Sequence, residues 1–308
     1  MVEHIPVLAN EGLEAMALET DGYYVDATFG RGGHTALFLQ ALGPEGRVLA
    51  IDRDPQAIAA GTHRFAGEMR LALVHASFAD VGALVPAYSG GRSCGGILFD
   101  LGVSSPQLDD PARGFSFRTD GPLDMRMDPT RGEPLSAWLA RASVDEIREV
   151  IATLGEERFA RRVAQAIVAA RREHPLGRTR ELAELIARAV RTREPGKHPA
   201  TRTFQALRMH ANDELGQLEK ALAGALDALA PRGRLAVISF HSLEDRLVKR
   251  FMQRESQLDP ALASLPVVPP QLTPRLRLIG RKLRPSQDEV TRNPRARSAL
   301  LRVAEKLA

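Results

Sequence analysis

Cysteine is almost missing from this 308-residue chain, where Cys94 stands alone. One thiol excludes an intramolecular disulfide framework and a multi-cysteine zinc site, no metal site is expected, and a reducing cytosolic compartment suits the composition. No stretch approaches the roughly 20 consecutive apolar residues of a membrane span. The start, Met1-Val2-Glu3-His4-Ile5-Pro6, lacks a basic region followed by an apolar core, so a soluble, unprocessed protein is expected. Internal repeats and low-complexity tracts are absent. Lysine is scarce, 5 residues against 37 arginines. That ratio suits bidentate phosphate contacts, but a GC-rich genome produces the same bias, so the placement of charge is the better guide.

The net charge is only +4. It is unevenly spread: residues 141–202 hold 14 Lys or Arg against 9 Asp or Glu, and residues 275–302 hold 9 against 2, leaving the remainder acidic. Two basic segments on an otherwise acidic chain are expected where a phosphate backbone is gripped. With 44% hydrophobic residues, a chain of this length can bury roughly three quarters of its unfolded surface, which fits one large domain or a domain with an insertion.

The most informative run is Asp26-Ala27-Thr28-Phe29-Gly30-Arg31-Gly32-Gly33-His34-Thr35, followed by Asp52 at the end of the next apolar stretch. Gly22-Tyr23-Tyr24-Val25 reads as a buried strand, the glycines allow a sharp turn against a ligand, and Thr35 opens a helix whose first amides face the same crevice. An acid at this distance is placed to accept ribose hydroxyls. A dinucleotide fingerprint requires a third small residue where Thr35 stands and no acid four residues before the first glycine. The pattern Asp-x-Thr-x-Gly-x-Gly resembles instead the first motif of S-adenosylmethionine (SAM) methyltransferases.

Strand and helix patterns alternate through the first hundred residues. Tyr23 to Asp26, Arg47 to Asp52, Leu71 to Ala76 and Gly96 to Asp100 read as strands, with Thr35 to Ala41, Pro55 to Phe65 and Ala79 to Ala87 as helices between them. The expected fold is α/β, a doubly wound and mostly parallel sheet, with its ligand crevice at the strand ends where Asp26, Asp52, Phe78 and Asp100 fall. After Asp100 comes a loop-like tract rich in Gly, Pro and Asp, then helical spacing over Val144 to Glu173 and Thr179 to Arg193. A long helix from about Thr203 to Leu229 is expected, its buried stripe running from Phe204 and Leu207 to Leu226 and Leu229. Arg234 to Phe240 resumes the sheet, and Leu276 to Ile279 with Ala299 to Val303 are a candidate closing pair. The pattern implies residues 1–103 and 201–308 as one domain, interrupted by an inserted helical, substrate-recognising domain over 104–200.

The residues after the fourth strand, Asp100-Leu101-Gly102-Val103-Ser104-Ser105-Pro106-Gln107, keep a leading acid but lack the Pro-Pro-aromatic tetrad of DNA amino-methyltransferases. Together with Ala50-Ile51-Asp52-Arg53-Asp54-Pro55, Arg113-Gly114-Phe115-Ser116-Phe117, Gly121-Pro122-Leu123-Asp124-Met125-Arg126-Met127, His198 to Gln205, Ser239 to Arg246 and Asn293 to Ser298, they make the chain resemble the bacterial 16S rRNA (cytosine-N4)-methyltransferase family over nearly its whole length. The resemblance implies a class I, Rossmann-like SAM methyltransferase fold. It also implies methylation of the exocyclic amine of a decoding-centre cytidine, with an assembled or nearly assembled 30S particle as substrate.

Carried over by motif, the SAM contacts would be Gly32, Gly33, His34, Asp52, Phe78, Asp100 and Gln107, and Asp100 would also be the catalytic residue. His34 is placed to meet the methionine carboxylate and Phe78 to cover the adenine. Asp100 is placed to meet the methionine amino group, the cytosine amine, or both. His241 and Glu244 either join this edge or merely belong to a helix start capped by Ser242 and Asp245. Phe115 and Phe117 are either base-stacking platforms or loop anchors. The polar row Thr201, Gln205, Arg208 and Asn212 is either a functional or a solvated face. Two other functions fit the same motifs: a SAM enzyme acting on a small molecule or protein, and a non-catalytic SAM-sensing assembly factor.

Overall fold

The computed structural model describes residues 6–190, 198–258, 269 and 273–308. Contacts divide the chain into two compact units, Met1–Gly102 with Leu215–Ala308, and Val103–Glu214. The first unit opens with α1 (Ala9–Ala15), β1 (Tyr23–Asp26), α2 (Gly33–Ala41), β2 (Arg47–Asp52), α3 (Pro55–Arg64), β3 (Leu71–His75), a 3-10 turn at Phe78–Asp80, α4 (Val81–Tyr88) and β4 (Cys94–Asp100). The second unit holds α5 (Ser105–Asp109), α6 (Leu135–Arg141), α7 (Val144–Gly155), α8 (Ala160–Glu173), α9 (Thr179–Ala189) and α10 (Thr201–Asn212). The chain returns through α11 (Glu214–Ala228) to β5 (Leu229–Ser239), α12 (Ser242–Ser256), β6 (Leu276–Leu283), α13 (Gln287–Arg292) and β7 (Leu300–Lys306).

In the first unit seven strands form one sheet in the order β3-β2-β1-β4-β5-β7-β6. β3, β2, β1, β4 and β5 are parallel, and β7 runs antiparallel to both β5 and β6. This is the doubly wound, mostly parallel sheet expected from the sequence. The winding reverses between β1 and β4, which sets the crevice at their carboxyl ends. The central strands β1, β2 and β4 and the second half of β5 are largely apolar because both faces are covered. Tyr23, Val25, Ile97, Phe99, Leu235 and Val237 pack on one face with Val81, Leu218, Leu222 and Phe251, while Tyr24, Val48, Leu98, Ala236 and Ile238 pack on the other with Phe38 and Met16. Successive residues of a strand thus serve alternate cores.

The second unit has its own core of Ile147, Ile151, Val163, Ile167, Leu182, Ile186, Phe204 and Leu207. Its long loop before α6 is held by two buried side chains. The Arg113 guanidinium donates to the carbonyls of Arg126 and Met127 at 3.1 and 2.8 Å. Asn212 donates through Nδ2 to the Met125 carbonyl at 2.7 Å and accepts the Met127 amide at 2.8 Å. Met125 between them is held at a φ of 61°.

The single long helix expected from Thr203 to Leu229 is two helices, broken at Asp213 with a φ of 48°. The leucine stripe is likewise divided: Phe204 and Leu207 belong to the core of the second unit, whereas Leu218, Leu222, Leu226 and Leu229 belong to the sheet. Periodicity cannot reveal that one stripe serves two cores, and for this reason the second unit extends to Glu214 instead of ending at Ala200. Glu156, at a φ of 48°, similarly separates α7 from α8 where one continuous helical stretch was expected. The end of the last expected helix, residues 191–193, lies outside the described residues.

Candidate cofactor and acceptor site

At the carboxyl end of β1 the Asp26 side chain is buried, accepting from Thr35 Oγ at 2.7 Å and from the Thr28 amide at 3.2 Å. Burial pushes its pKa up, against the lowering effects of His34 and these donors. Thr28 in turn accepts the Asp100 amide at 2.6 Å, so the Asp-x-Thr spacing ties the ends of β1 and β4 together. The chain then turns through Gly30 and Gly32, both left-handed, into α2. Gly32 is required twice over: its φ is 70°, and a Cβ there would stand 2.6 Å from the Phe29 ring and 2.7 Å from that of Phe65.

His34, in the first turn of α2, is 4% exposed, and neither ring nitrogen has a hydrogen-bond partner among the described residues. Its Nε2 lies 3.7 Å from Asp100 Oδ2, an ion-pair separation beyond hydrogen-bond length. Burial alone would lower the imidazole pKa, but the carboxylates of Asp100 and Asp26 outweigh it and hold the pKa above the ordinary histidine value. Asp100 Oδ1 is also buried and has no partner among the described residues. Native proteins rarely leave such atoms unsatisfied, so an imidazole beside a carboxylate whose other oxygen is orphaned marks this pair as a ligand-binding element.

Asp52 ends β2 with both oxygens already engaged, Oδ2 by the Gly30 amide at 2.7 Å and Oδ1 by the Asp54 amide at 2.8 Å. Each oxygen keeps a second lone pair for a hydroxyl donor. Burial raises its pKa to about 6 against these two donors. Phe78 begins the 3-10 turn after β3, and its ring meets Phe99 edge-on at 6.0 Å. Gly32, Gly33, His34, Asp52, Phe78 and Asp100 therefore all belong to the first unit and lie at the carboxyl edge of its sheet.

Gln107 belongs to the second unit, where its Oε1 accepts the Ser104 amide at 2.9 Å and caps α5. His241 and Glu244 form the cap of α12, in place of the expected Ser242 and Asp245. Glu244 accepts the amides of Phe240 and His241 at 2.9 and 3.3 Å, and its own amide donates to His241 Nδ1. Asp245 holds Arg302 in a bidentate pair. Phe115 is buried and Phe117 packs against His198 and Phe204 at 4.7 Å each, so both serve as loop anchors. Within the polar row on α10, Asn212 is buried and Arg208 pairs bidentately with Glu214, which is not the pattern of a solvated face. Thr28 and Thr35 had no role assigned from the sequence, although their fixed spacing from Asp26 was the available signal.

A model of the MraW methylase family matches residues 1–307. The chain belongs to this family. Ribosomal RNA small subunit methyltransferase H of Dechloromonas aromatica is 56% identical over 305 residues, covering 99% of this chain and 98% of that protein. The protein of the same name from Chromohalobacter salexigens is 54% identical over 305 residues, covering 99% and 92%. As an MraW family methylase the chain is an enzyme whose cofactor is SAM. The crevice fits that group: an imidazole with a raised pKa for a carboxylate, an orphaned carboxylate oxygen for an ammonium, a hydroxyl acceptor at Asp52 and a glycine turn that admits close approach. No helix of the described residues is long and apolar enough to cross a membrane.

Proposed function

We propose that the chain methylates the exocyclic N4 amine of a decoding-centre cytidine in 16S rRNA, acting on the 30S subunit or a late assembly intermediate. The observation that carries this reading is the Asp100 carboxylate at the end of β4, with one oxygen beside His34 and the other buried and unpartnered. The names of the two relatives support the choice of small-subunit RNA as substrate.

Bound SAM supplies an electrophilic methyl group. The chain's own residues do the rest. His34 and Asp52 anchor the two ends of the cofactor. Asp100 holds the acceptor amine in line, which matters because the nitrogen lone pair is delocalised into the cytosine ring. Fixing reacting groups in line is worth on the order of 7 to 11 kcal/mol of barrier. As the carbon–nitrogen bond forms, the amine becomes acidic, and its proton leaves by way of the Asp100 carboxylate to solvent. The second unit recognises the RNA, consistent with the exposed Arg158, Arg161 and Arg162 around the start of α8.

Incubation with methyl-labelled SAM and under-methylated 30S subunits, followed by mapping of the modified nucleotide, tests the reading. Label at one cytidine N4 is expected. Label only on protein, on small molecules or on another base overturns it.

A further inference from the structure

The basic C-terminal segment separates into neutralised and unneutralised cations. Arg275 pairs with Asp227, Arg277 and Arg234 with Glu305, and Arg302 with Asp245, while Lys306 donates to the carbonyls of Asp227 and Leu229. These residues tie the last strands to the rest of the sheet. Arg281, Lys282, Arg284 and Arg297 are different: all four are exposed, and none makes an ion pair or hydrogen bond among the described residues.

Their position follows from register. Ile279 lies opposite Val303, yet the next paired residue of β6 is Leu283, opposite Leu301. Four steps along β6 thus match two along β7, and the surplus forms a bulge with Gly280 at a φ of 64°. A bulge of this kind lifts residues out of the ladder and re-aims them. Here those residues are Arg281 and Lys282. The bulge lies at a particular end of the sheet. Leu283 pairs with Leu301, Leu301 with Ile238, and Ile238 with Asp100. The base of the bulge is therefore in register with the proposed catalytic carboxylate, three strand spacings away, or about 14 Å. Arg297 precedes β7 and so lies at the same end.

Resting on the rRNA reading above, we infer that Arg281, Lys282, Arg284 and Arg297 form a clamp for the RNA phosphate backbone beside the methylated nucleotide. Four exposed cations that find no counter-ion among the described residues make a positive surface that attracts a polyanion. Arginine matches phosphate through its planar fork. A separation of about 14 Å corresponds to roughly four stacked nucleotides at 3.4 Å each. The clamp would hold the strand that flanks the target, leaving Asp100 to hold the base.

The test measures binding to under-methylated 30S subunits as a function of salt, for the wild-type chain and the variant R281A/K282A/R284A. SAM affinity and thermal stability of both proteins are measured alongside. At about 0.7 log units of slope per single-strand phosphate contact, the variant's dependence should be shallower by about two. Between 50 and 200 mM salt it should therefore lose about 20-fold less affinity than the wild type, with SAM binding unchanged. Adding R297A should flatten the slope further. An unchanged slope overturns the clamp. Wild-type protein that binds 30S but leaves its cytidines unmethylated overturns the functional reading alone, and failure to bind overturns both. Binding to phosphatidylglycerol vesicles that is lost in the variant, with 30S binding intact, reassigns the bulge to a membrane surface.

Discussion

His34 Nε2 and Asp100 Oδ2 face each other at 3.7 Å across the mouth of the sheet, one residue from the first turn of α2 and the other from the last position of β4. The pair is too long to satisfy itself by hydrogen bonding, and the His34 ring and Asp100 Oδ1 are shielded from bulk water. Both side chains are consequently available to a zwitterion, and the Asp100 carboxylate favours the protonated form of His34.

Replacing Asp100 with Asn keeps the shape and one acceptor oxygen but removes the charge. Single-turnover methyl transfer at saturating SAM should fall by about a hundredfold to ten-thousandfold, the usual range for a lost proton acceptor. Binding to 30S subunits should be nearly unchanged. Near-normal transfer would remove Asp100 from the chemistry, and a loss explained entirely by SAM affinity would make it a cofactor ligand only.

The same variant has a pH signature. With the His34 pKa raised in the folded protein, its contribution to stability is fully present below the unfolded value of about 6.5 and is lost as pH rises through the folded value. In Asp100→Asn the strongest partner of the imidazole is gone, and burial then favours the neutral ring. Urea denaturation from pH 5 to 9 should show this His34-dependent decline in the wild type and its loss or reversal in the variant. Identical profiles would show that the carboxylate does not control His34.

Asp52 should make SAM binding pH-dependent near 6. Its carboxyl is raised to about 6 by burial, and hydroxyl donors from a ribose favour the ionised form, so binding releases a proton. Affinity measured by calorimetry should fall below about pH 6, by up to about tenfold per pH unit. Asp52→Ala should weaken SAM by about one to two decades, a loss of roughly 1.5 to 3 kcal/mol, and should remove the pH dependence. A flat wild-type profile, or unchanged affinity in a folded Asp52→Ala variant, excludes this role.

The glycine turn allows a paired comparison. Gly32→Ala combines a φ of 70° with two aromatic rings within 2.7 Å of the new methyl, and should destabilise by about 2 to 4 kcal/mol in urea denaturation. Gly30→Ala has a φ of 52° but its nearest neighbour at 3.9 Å, and should cost only about 1 kcal/mol. Equal losses would show that packing against Phe29 and Phe65 is not what demands glycine at position 32.

Asn212→Ala should be severe for a substitution in the second unit. It leaves the buried Met127 amide and Met125 carbonyl without their partner while Met125 remains at a φ of 61°. Two lost buried hydrogen bonds of this type amount to about 2 to 4 kcal/mol. Hydrogen exchange should report it locally, with the Met127 amide losing protection before the amides of α8.

The centre of the sheet was legible in the sequence because β1, β2 and β4 are short apolar runs that end in acids, and a strand buried on both faces has no other way to be written. The cofactor crevice was legible for a related reason: glycines, Asp26 and Asp52 stand at spacings that only a strand-turn-helix connection explains. The break at Asp213 was not legible, since a leucine every three or four residues says nothing about which core each leucine enters. The role of Glu244 was equally hidden. An acid three residues after a histidine at a helix start reads as a capping box only once the histidine is seen to accept the amide hydrogen, a part more often played by serine or aspartate.

The adjacency of β4 and β5 in the sheet sets a schedule for synthesis of the chain. β4 ends at Asp100, and its neighbour β5 begins only at Leu229, after the second unit has been made. At about 5 to 20 residues per second, the roughly 130 intervening residues take on the order of 6 to 26 s to emerge. During that interval β3, β2, β1 and β4 form half a sheet with a raw edge, the kind of edge that recruits foreign strands. A second unit that folds as it emerges would lower the loop-closure cost of joining β5 to β4 once β5 is made, and a variant slow to fold there should aggregate on the ribosome although its sheet sequence is intact. Pulse proteolysis of stalled nascent chains ending before and after Leu229 would show whether the half-sheet waits open or is already protected.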